Sequence, residues 1–126
     1  MAKGQITTKG REKLCKGHAG QIQLPKIKYM ALGTGGTDSA GDPIPVLGTE
    51  EGLRNEVIRK EIEKIEFPIK TTGRYSVTLK KDELAGVSIS EQGLLDESGD
   101  LILYKTFFPK MKDDDMEFCF LMDEIF

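Results

Sequence analysis

Acidic residues near the end of the chain have the spacing of a calcium-binding loop. Asp113, Asp115, Glu117 and Glu124 occupy positions 1, 3, 5 and 12 of that template. Position 6 must be glycine because the loop turns sharply there, and this chain has Phe118 instead. The residues that follow are apolar and typical of a strand. The pattern therefore favours a solvated acidic turn, and we expect no metal site.

A glycine-rich stretch, Gly33-Thr34-Gly35-Gly36-Thr37, has the composition of a phosphate-binding loop. A phosphate loop needs the spacing G-x-x-x-x-G-K-[ST] and a helix directly after it. This stretch lacks the spacing, and no helical pattern follows it. We interpret it as a flexible loop and expect no nucleotide and no other cofactor.

A cysteine and the single histidine could form a catalytic pair. Cys15 lies three residues before His18, so the two could share one face of a helix. No third group that would orient the histidine is evident in the sequence. His18 also follows the predicted end of a helix, where a cation interacts favourably with the helix dipole. We therefore expect no catalytic residues and predict that the protein is not an enzyme.

One carboxylate lies in an otherwise apolar predicted strand. Burying Glu91 without a partner would be costly. Arg54, Arg59 and Arg74 are the candidate partners, because arginine binds carboxylates with two parallel hydrogen bonds. We interpret Glu91 as part of a structural ion pair or a contact between subunits rather than as a general acid or base.

Composition limits the classes of protein. A chain of 126 residues suits one domain spanning 1–126, and 31% charged residues predict a polar surface or a core shared with a partner. The net charge of −3 gives no basic face for nucleic acid.

No apolar run approaches the roughly 18 residues that span a membrane, and the first residues lack a signal peptide's apolar core, so we expect synthesis in the cytoplasm. Cys15 and Cys119 lack metal or redox spacing, and we expect half-buried thiols.

The strongest structural pattern is a β-hairpin over residues 87–107. Val87 and Ile89 alternate with serines, which is strand spacing. The turn residues Asp96-Glu97-Ser98-Gly99-Asp100 follow, and we expect a positive φ at Gly99. Gly93 interrupts a strand, as at a bulge or a close backbone approach. The continuous apolar run that begins at Leu101 predicts a second strand covered on both faces.

The other patterns complete an α+β prediction: a mostly antiparallel β-sheet with one short N-terminal helix. Glycines and prolines make residues 33–52 a long break without regular structure. The remaining predictions are a helix at residues 7–17, strands at 21–33 (one face buried, the other solvated or only partly covered), 74–80 and 116–122, and a charged linker at 110–115.

The hairpin also resembles a known family. Ile89-Ser90-Glu91-Gln92-Gly93-Leu94-Leu95-Asp96, followed by Gly99-Asp100-Leu101-Ile102, resembles the signature I-x-E-x-G-L-x-D-x-x-G-x-L-I of the tail-collar fibre N-terminal family. Ile6-Thr7-Thr8-Lys9-Gly10-Arg11 is similar to the family's opening I-T-x-x-G-R. Ile27-Lys28-Tyr29-Met30-Ala31-Leu32-Gly33 is similar to its first strand, and Leu53-Arg54-Asn55-Glu56-Val57-Ile58-Arg59 to its L-x-N-E-x-x-R block. The four blocks occur in the family's order.

The resemblance implies a function in tailed phages, prophages or phage-tail-like bacteriocins. We expect a structural baseplate or collar component, or a fibre connector, that binds other tail proteins and forms a homo-oligomer such as the family's usual trimer. No fibre shaft follows up to Phe126, which favours a free-standing connector. A small receptor- or carbohydrate-binding tail tip protein is the alternative, although tryptophan is absent. A small enzyme is a less favoured alternative, because no convergent polar site assembles in the sequence.

Two segments have open alternatives. The spacing of Ile58, Ile62 and Ile65 favours a helix over residues 53–67, whereas the resemblance favours an extended segment, and we predict a strand. In the long loop, Ile44, Val46 and Leu47 form an apolar triplet stiffened by prolines. It could insert into a neighbouring subunit as an assembly arm or pack back onto its own core.

Overall fold

The computed structural model describes residues 4–126, and its elements confirm the α+β prediction. One helix and eight strands occur in these residues: β1 (Gln5–Ile6), α1 (Thr8–His18), β2 (Ile27–Gly33), β3 (Glu56–Glu61), β4 (Lys64–Ile69), β5 (Thr72–Leu79), β6 (Ser88–Asp96), β7 (Leu101–Met111) and β8 (Phe118–Ile125). All neighbouring strands are antiparallel. The extended prediction for residues 53–67 is confirmed, because β3 and β4 lie there.

The strands form two sheets that share one core. The larger sheet has the order β1-β7-β6-β2-β3, and the smaller has the order β4-β5-β8. Apolar side chains from both sheets meet in one buried cluster: Met30, Leu32, Ile89, Leu94 and Leu103 from the larger sheet, and Val77, Leu79, Phe120 and Met122 from the smaller. The two sheets therefore form a sandwich around this shared cluster.

The long loop between β2 and β3 forms a third layer. On the outer face of the larger sheet, a second cluster contains Ala31, Leu95, Leu101 and Tyr104. Val46 and Leu53 pack against this cluster from the loop side. Side chains alternate between the faces of a strand, which explains why Ala31 faces the loop while Met30 and Leu32 face the smaller sheet. The prediction that one face of β2 is solvated or only partly covered is wrong for these residues, because Met30, Ala31 and Leu32 are all fully buried.

Helix α1 begins at a side-chain cap and lies against β7. The Thr7 hydroxyl accepts a hydrogen bond from the Gly10 amide at 3.0 Å and donates one to the Leu101 carbonyl at 2.7 Å. A Cβ at Gly10 would lie 2.8 Å from the Ile102 carbonyl oxygen, so glycine allows the close approach of helix and strand. No helix in residues 4–126 is long and apolar enough to span a membrane.

Three boundary and burial predictions are wrong. The charged linker is shorter than predicted, because β7 continues to Met111 and Lys112 is fully buried. The Lys112 ammonium donates to the carbonyls of Lys81 at 2.6 Å and Asp113 at 3.1 Å, which compensates for its loss of water. The last strand is shifted towards the C-terminus and ends at Ile125. Both cysteines are exposed thiols rather than half-buried ones.

Candidate functional site

The signature carboxylate Glu91 lies at the centre of the outer face of the larger sheet. It is fully buried, and its two oxygens accept four hydrogen bonds. Oε2 accepts from the amides of Gly35 at 2.9 Å and Asn55 at 2.8 Å. Oε1 accepts from the amide of Arg54 at 2.8 Å and from the Tyr104 hydroxyl at 2.7 Å. The carboxylate therefore joins both ends of the long loop to β6 and β7.

The partners of Glu91 differ from those expected. Arg54 contributes its backbone N–H group rather than its guanidinium. Arg59 instead holds Glu56 through two bonds of 2.9 Å, and Arg74 holds Asp123 at 2.8 and 3.0 Å. The prediction of an arginine ion pair is wrong because backbone amides, aligned by the loop, already satisfy the charge. Backbone amides form stronger hydrogen bonds with an ionised carboxylate than with a neutral acceptor, and they stabilise the anion without adding a countercharge.

Glycines let the loop approach this carboxylate. A Cβ at Gly33 would lie 2.5 Å from Glu91 Oε2, and one at Gly35 would lie 2.9 Å from it. A Cβ at Gly36 would lie 2.0 Å from the Ser90 carbonyl oxygen, and the Gly36 amide donates to the Ser90 hydroxyl at 2.9 Å. The glycine-rich stretch thus forms an amide cradle for an anion, and the anion that occupies it is the chain's own Glu91.

The Tyr104 hydroxyl completes the site. Burial raises the pKa of Tyr104, and the hydrogen bond to the Glu91 carboxylate and its negative charge raise it further. The phenol therefore remains protonated and donates to Glu91 across the whole physiological range. With four donors around it and no exposed surface, the carboxylate has no free lone pair directed at solvent. The geometry suits a structural anchor and leaves no room for an acid or base acting on a substrate.

A second signature carboxylate, Asp96, organises the hairpin turn. Asp96 Oδ1 accepts from the amides of Ser98 at 3.0 Å and Asp100 at 3.1 Å, while Oδ2 accepts from the Lys13 ammonium at 2.6 Å. The ammonium also lies 2.6 Å from Asp100 Oδ2. Burial disfavours the charged ammonium, but its bonds to both aspartates outweigh this effect and raise the pKa of Lys13. The same contact lowers the pKa of Asp100. Helix α1 is thereby tied to the turn.

Two signature glycines serve the backbone in different ways. Gly99 has φ of +86°, so the predicted left-handed residue in the turn is confirmed. Gly93 has no unusual φ, but a Cβ there would lie 2.5 Å from Leu101 Cδ1 and 2.9 Å from Leu53 Cδ1. The predicted close approach at Gly93 is therefore present. Leu94, the next signature residue, is buried in the core between the sheets.

The apolar triplet of the loop divides between the protein's own core and the solvent. The Ile44 amide donates to the Gly36 carbonyl at 2.8 Å, and the Ile44 carbonyl accepts from the Thr106 hydroxyl at 2.6 Å. Val46 packs against the outer cluster, as the second alternative for the triplet expects. Leu47 is 71% exposed. Of the three residues proposed as assembly contacts, Leu47 alone presents most of its side chain to solvent.

The other candidate chemical groups do not form one site. Asp113, Asp114 and Asp115 are exposed, and their carboxylate oxygens lie within 4.8 Å of one another, but Glu124 lies near the opposite end of β8. Phe118, at the position where a calcium loop turns, is instead the first residue of strand β8. Cys15 is exposed on α1, and His18 is the helix's last residue. The calcium-loop spacing of the sequence therefore does not produce a common set of ligands.

No known family model, curated protein or solved structure matches this chain. The likeness to the tail-collar fibre family is therefore carried by the four sequence blocks alone.

Proposed function

We propose that the protein is a structural component of a phage tail or phage-tail-like particle, acting by protein–protein binding. The observation that carries the proposal is the use of the signature residues. Glu91 and Asp96 are buried and saturated by donors from the chain itself, as expected of residues that keep a module rigid for assembly. A catalytic carboxylate would instead present an oxygen to a cleft.

The proposed setting is a baseplate, a collar or a fibre connection. The protein would be made and assembled in a bacterial cytoplasm and then carried in the particle. Its partners would be other tail proteins and further copies of itself, without nucleic acid or membrane. Exposed apolar side chains in a chain of this size support a surface that other subunits cover.

The test uses the strain that encodes the protein. Particles are induced and purified from the wild-type strain and from a strain lacking the gene, then compared by mass spectrometry and electron microscopy. We expect this chain to be present in wild-type particles, and we expect the deletion to give incomplete particles that complementation restores. Normal particles from the deletion strain, together with absence of the chain from wild-type particles, would refute the proposal.

Leu47 provides a local test of the proposed loop contact. Leu47→Asp should leave the free protein folded, because the side chain is already exposed, but should reduce its incorporation into particles. Leu121→Asp, at a position that is 45% exposed on β8, is the matched control. Equal incorporation of both variants would remove Leu47 from the interface. Hydrogen exchange over residues 33–52 in free and assembled protein gives an independent readout of the same contact.

A further inference from the structure

A large apolar groove lies at one end of the sandwich. It is bounded by α1, the segment before β2, the β4–β5 hairpin and the C-terminal residues, and its volume is about 440 Å³. Its apolar lining includes Leu14, Leu24, Ile65, Phe67, Tyr75 and Phe126. Phe67 is 72% exposed and Phe126 is 62% exposed, so the groove opens widely to solvent. Clustered exposed apolar residues of this kind mark a surface that another molecule covers.

Lysines supply the positive charge around this groove. Lys26 and Lys70 line it, and among the described residues neither belongs to an ion pair. The acidic Asp96 also lines it but is already matched by Lys13. Glu124 also lines the groove but is buried. We call the whole surface the lysine-rimmed groove. It fits an apolar partner that carries negative charge.

The opposite end of the same sandwich has this complementary chemistry. Asp113, Asp114, Asp115 and Glu117 are all exposed, and none of them pairs with a cation among the described residues. Met111 and Met116 border them and are 61% and 43% exposed. We call residues 111–117 the acidic tip. Methionine adapts its shape to irregular apolar grooves, which makes it a suitable side chain for such a contact.

The two surfaces are too far apart to meet within one molecule. Strand β8 begins beside the acidic tip, where Phe118 is opposite Leu79, and ends at the groove, where Ile125 is opposite Thr72. A strand of this length spans roughly 24 Å at about 3.4 Å per residue. Complementary surfaces at opposite ends of a rigid module can bind each other only between different copies.

We infer that copies of this chain associate head to tail, with the acidic tip of one copy docked in the lysine-rimmed groove of the next. The apolar groove and the methionines give the contact buried area, while the lysines and aspartates fix its direction. A heterologous contact of this kind closes into a ring or continues as a filament, depending on the rotation between copies. This head-to-tail contact rests on the proposed structural role and specifies one contact within it. The head-to-tail contact is tested with purified protein alone, whereas the proposed function is tested on particles, so either proposal can fail without the other.

The test is a pair of charge reversals on the full chain, followed by sedimentation analysis over a range of concentrations. The groove-reversed variant is Lys26→Glu with Lys70→Glu. The tip-reversed variant is Asp114→Lys with Asp115→Lys. Asp113 is kept because its carboxylate accepts from the Asp115 amide at 2.8 Å and holds the turn. Circular dichroism establishes that each variant is folded.

We expect the wild-type chain to form species larger than its 14.0 kDa monomer as concentration rises. Each reversed variant alone should associate at least roughly tenfold more weakly, because like charges then meet in the contact. An equimolar mixture should recover association, since the basic tip now fits the acidic groove and the unaltered acidic tip fits the unaltered groove.

An apolar substitution tests the groove itself. Phe67→Ser should weaken association without unfolding the chain, because the ring is largely exposed. Val57→Ser is the control, at a position 37% exposed on β3 and outside both surfaces. A wild-type chain that stays monomeric at every concentration would overturn the inference. So would undiminished association of the tip-reversed variant, which would indicate a two-fold contact between grooves that leaves the tip free.

Discussion

Replacing Glu91 by glutamine tests the buried anchor most directly. The substitution keeps the shape of the side chain but removes the charge and turns one acceptor oxygen into a donor NH₂ group. If that group replaces Oε1, the Tyr104 hydroxyl can rotate and accept from it, but the Tyr104 proton and the Arg54 amide both lose their acceptor. If it replaces Oε2, the amides of Gly35 and Asn55 both lose theirs. The first arrangement keeps three hydrogen bonds and the second keeps two, so the first is the less costly one.

The expected loss of unfolding free energy follows from these hydrogen bonds. One buried amide left without an acceptor costs about 1–3 kcal/mol, and the loss of charge weakens each of the three remaining bonds by about 0.5–1 kcal/mol. A neutral amide is less costly to bury than a carboxylate, which offsets part of the loss. We expect Glu91→Gln to lower the free energy of unfolding by about 2–4 kcal/mol, a large fraction of a typical domain's stability.

Urea unfolding followed by circular dichroism measures this change. Glu56→Gln is the matched control, because Glu56 forms an exposed ion pair with Arg59 and should cost about 0.5 kcal/mol or less. Amide exchange adds a local readout, in which Gly35, Arg54 and Asn55 should lose protection in the Glu91 variant. Equal unfolding midpoints for the two glutamine variants would refute the anchoring role of Glu91.

Three further predictions concern the backbone and pH. Gly99→Val should destabilise the fold by about 1–3 kcal/mol because φ is positive there, whereas Gly52→Val, in open space, should change the unfolding midpoint little. Gly93→Ala should cost about 1–3 kcal/mol through overpacking against two leucines, and an unchanged melting temperature would contradict this. Burial raises the pKa of Glu124 above 4.5, so its ionisation opposes folding and the fold loses stability as pH rises through the folded-state pKa. Glu124→Gln should therefore be more stable than the wild type at pH 7 but not at pH 4. Lower stability of the variant at pH 7 would contradict this.

Sequence patterns determined the local structure well. Alternation in the hairpin and the turn residues before Gly99 act over a few residues, so their consequences can be read without the fold. The strand over residues 53–67 came instead from the family resemblance, because the isoleucine spacing alone favours a helix. Sheet pairing overrode that spacing in the structure: Ile58 on β3 and Ile62 beside it pack onto the core between the sheets.

The partners of Glu91 were decided only by the tertiary structure. The sequence marked this residue as a carboxylate in need of donors and directed attention to three arginines. Every residue except proline has a backbone N–H group, so composition and spacing cannot single out Gly35, Arg54 and Asn55 as donors. Those amides converge because the glycines permit close approach and because Val46 and Leu53 pack the loop onto the sheet.

The burial of Lys112 and the formation of the groove were likewise decided only by the tertiary structure. The charged run around Lys112 is typical of a solvated linker, yet the carbonyls of Lys81 and Asp113 converge on its ammonium and allow it to be buried. Phe67 and Phe126 lie 59 positions apart in the sequence and become one surface through the pairing of β4, β5 and β8. Sequence periodicity describes each strand by itself. Which strand ends lie side by side, and which faces they leave uncovered, is decided by the order of strands in the sheets.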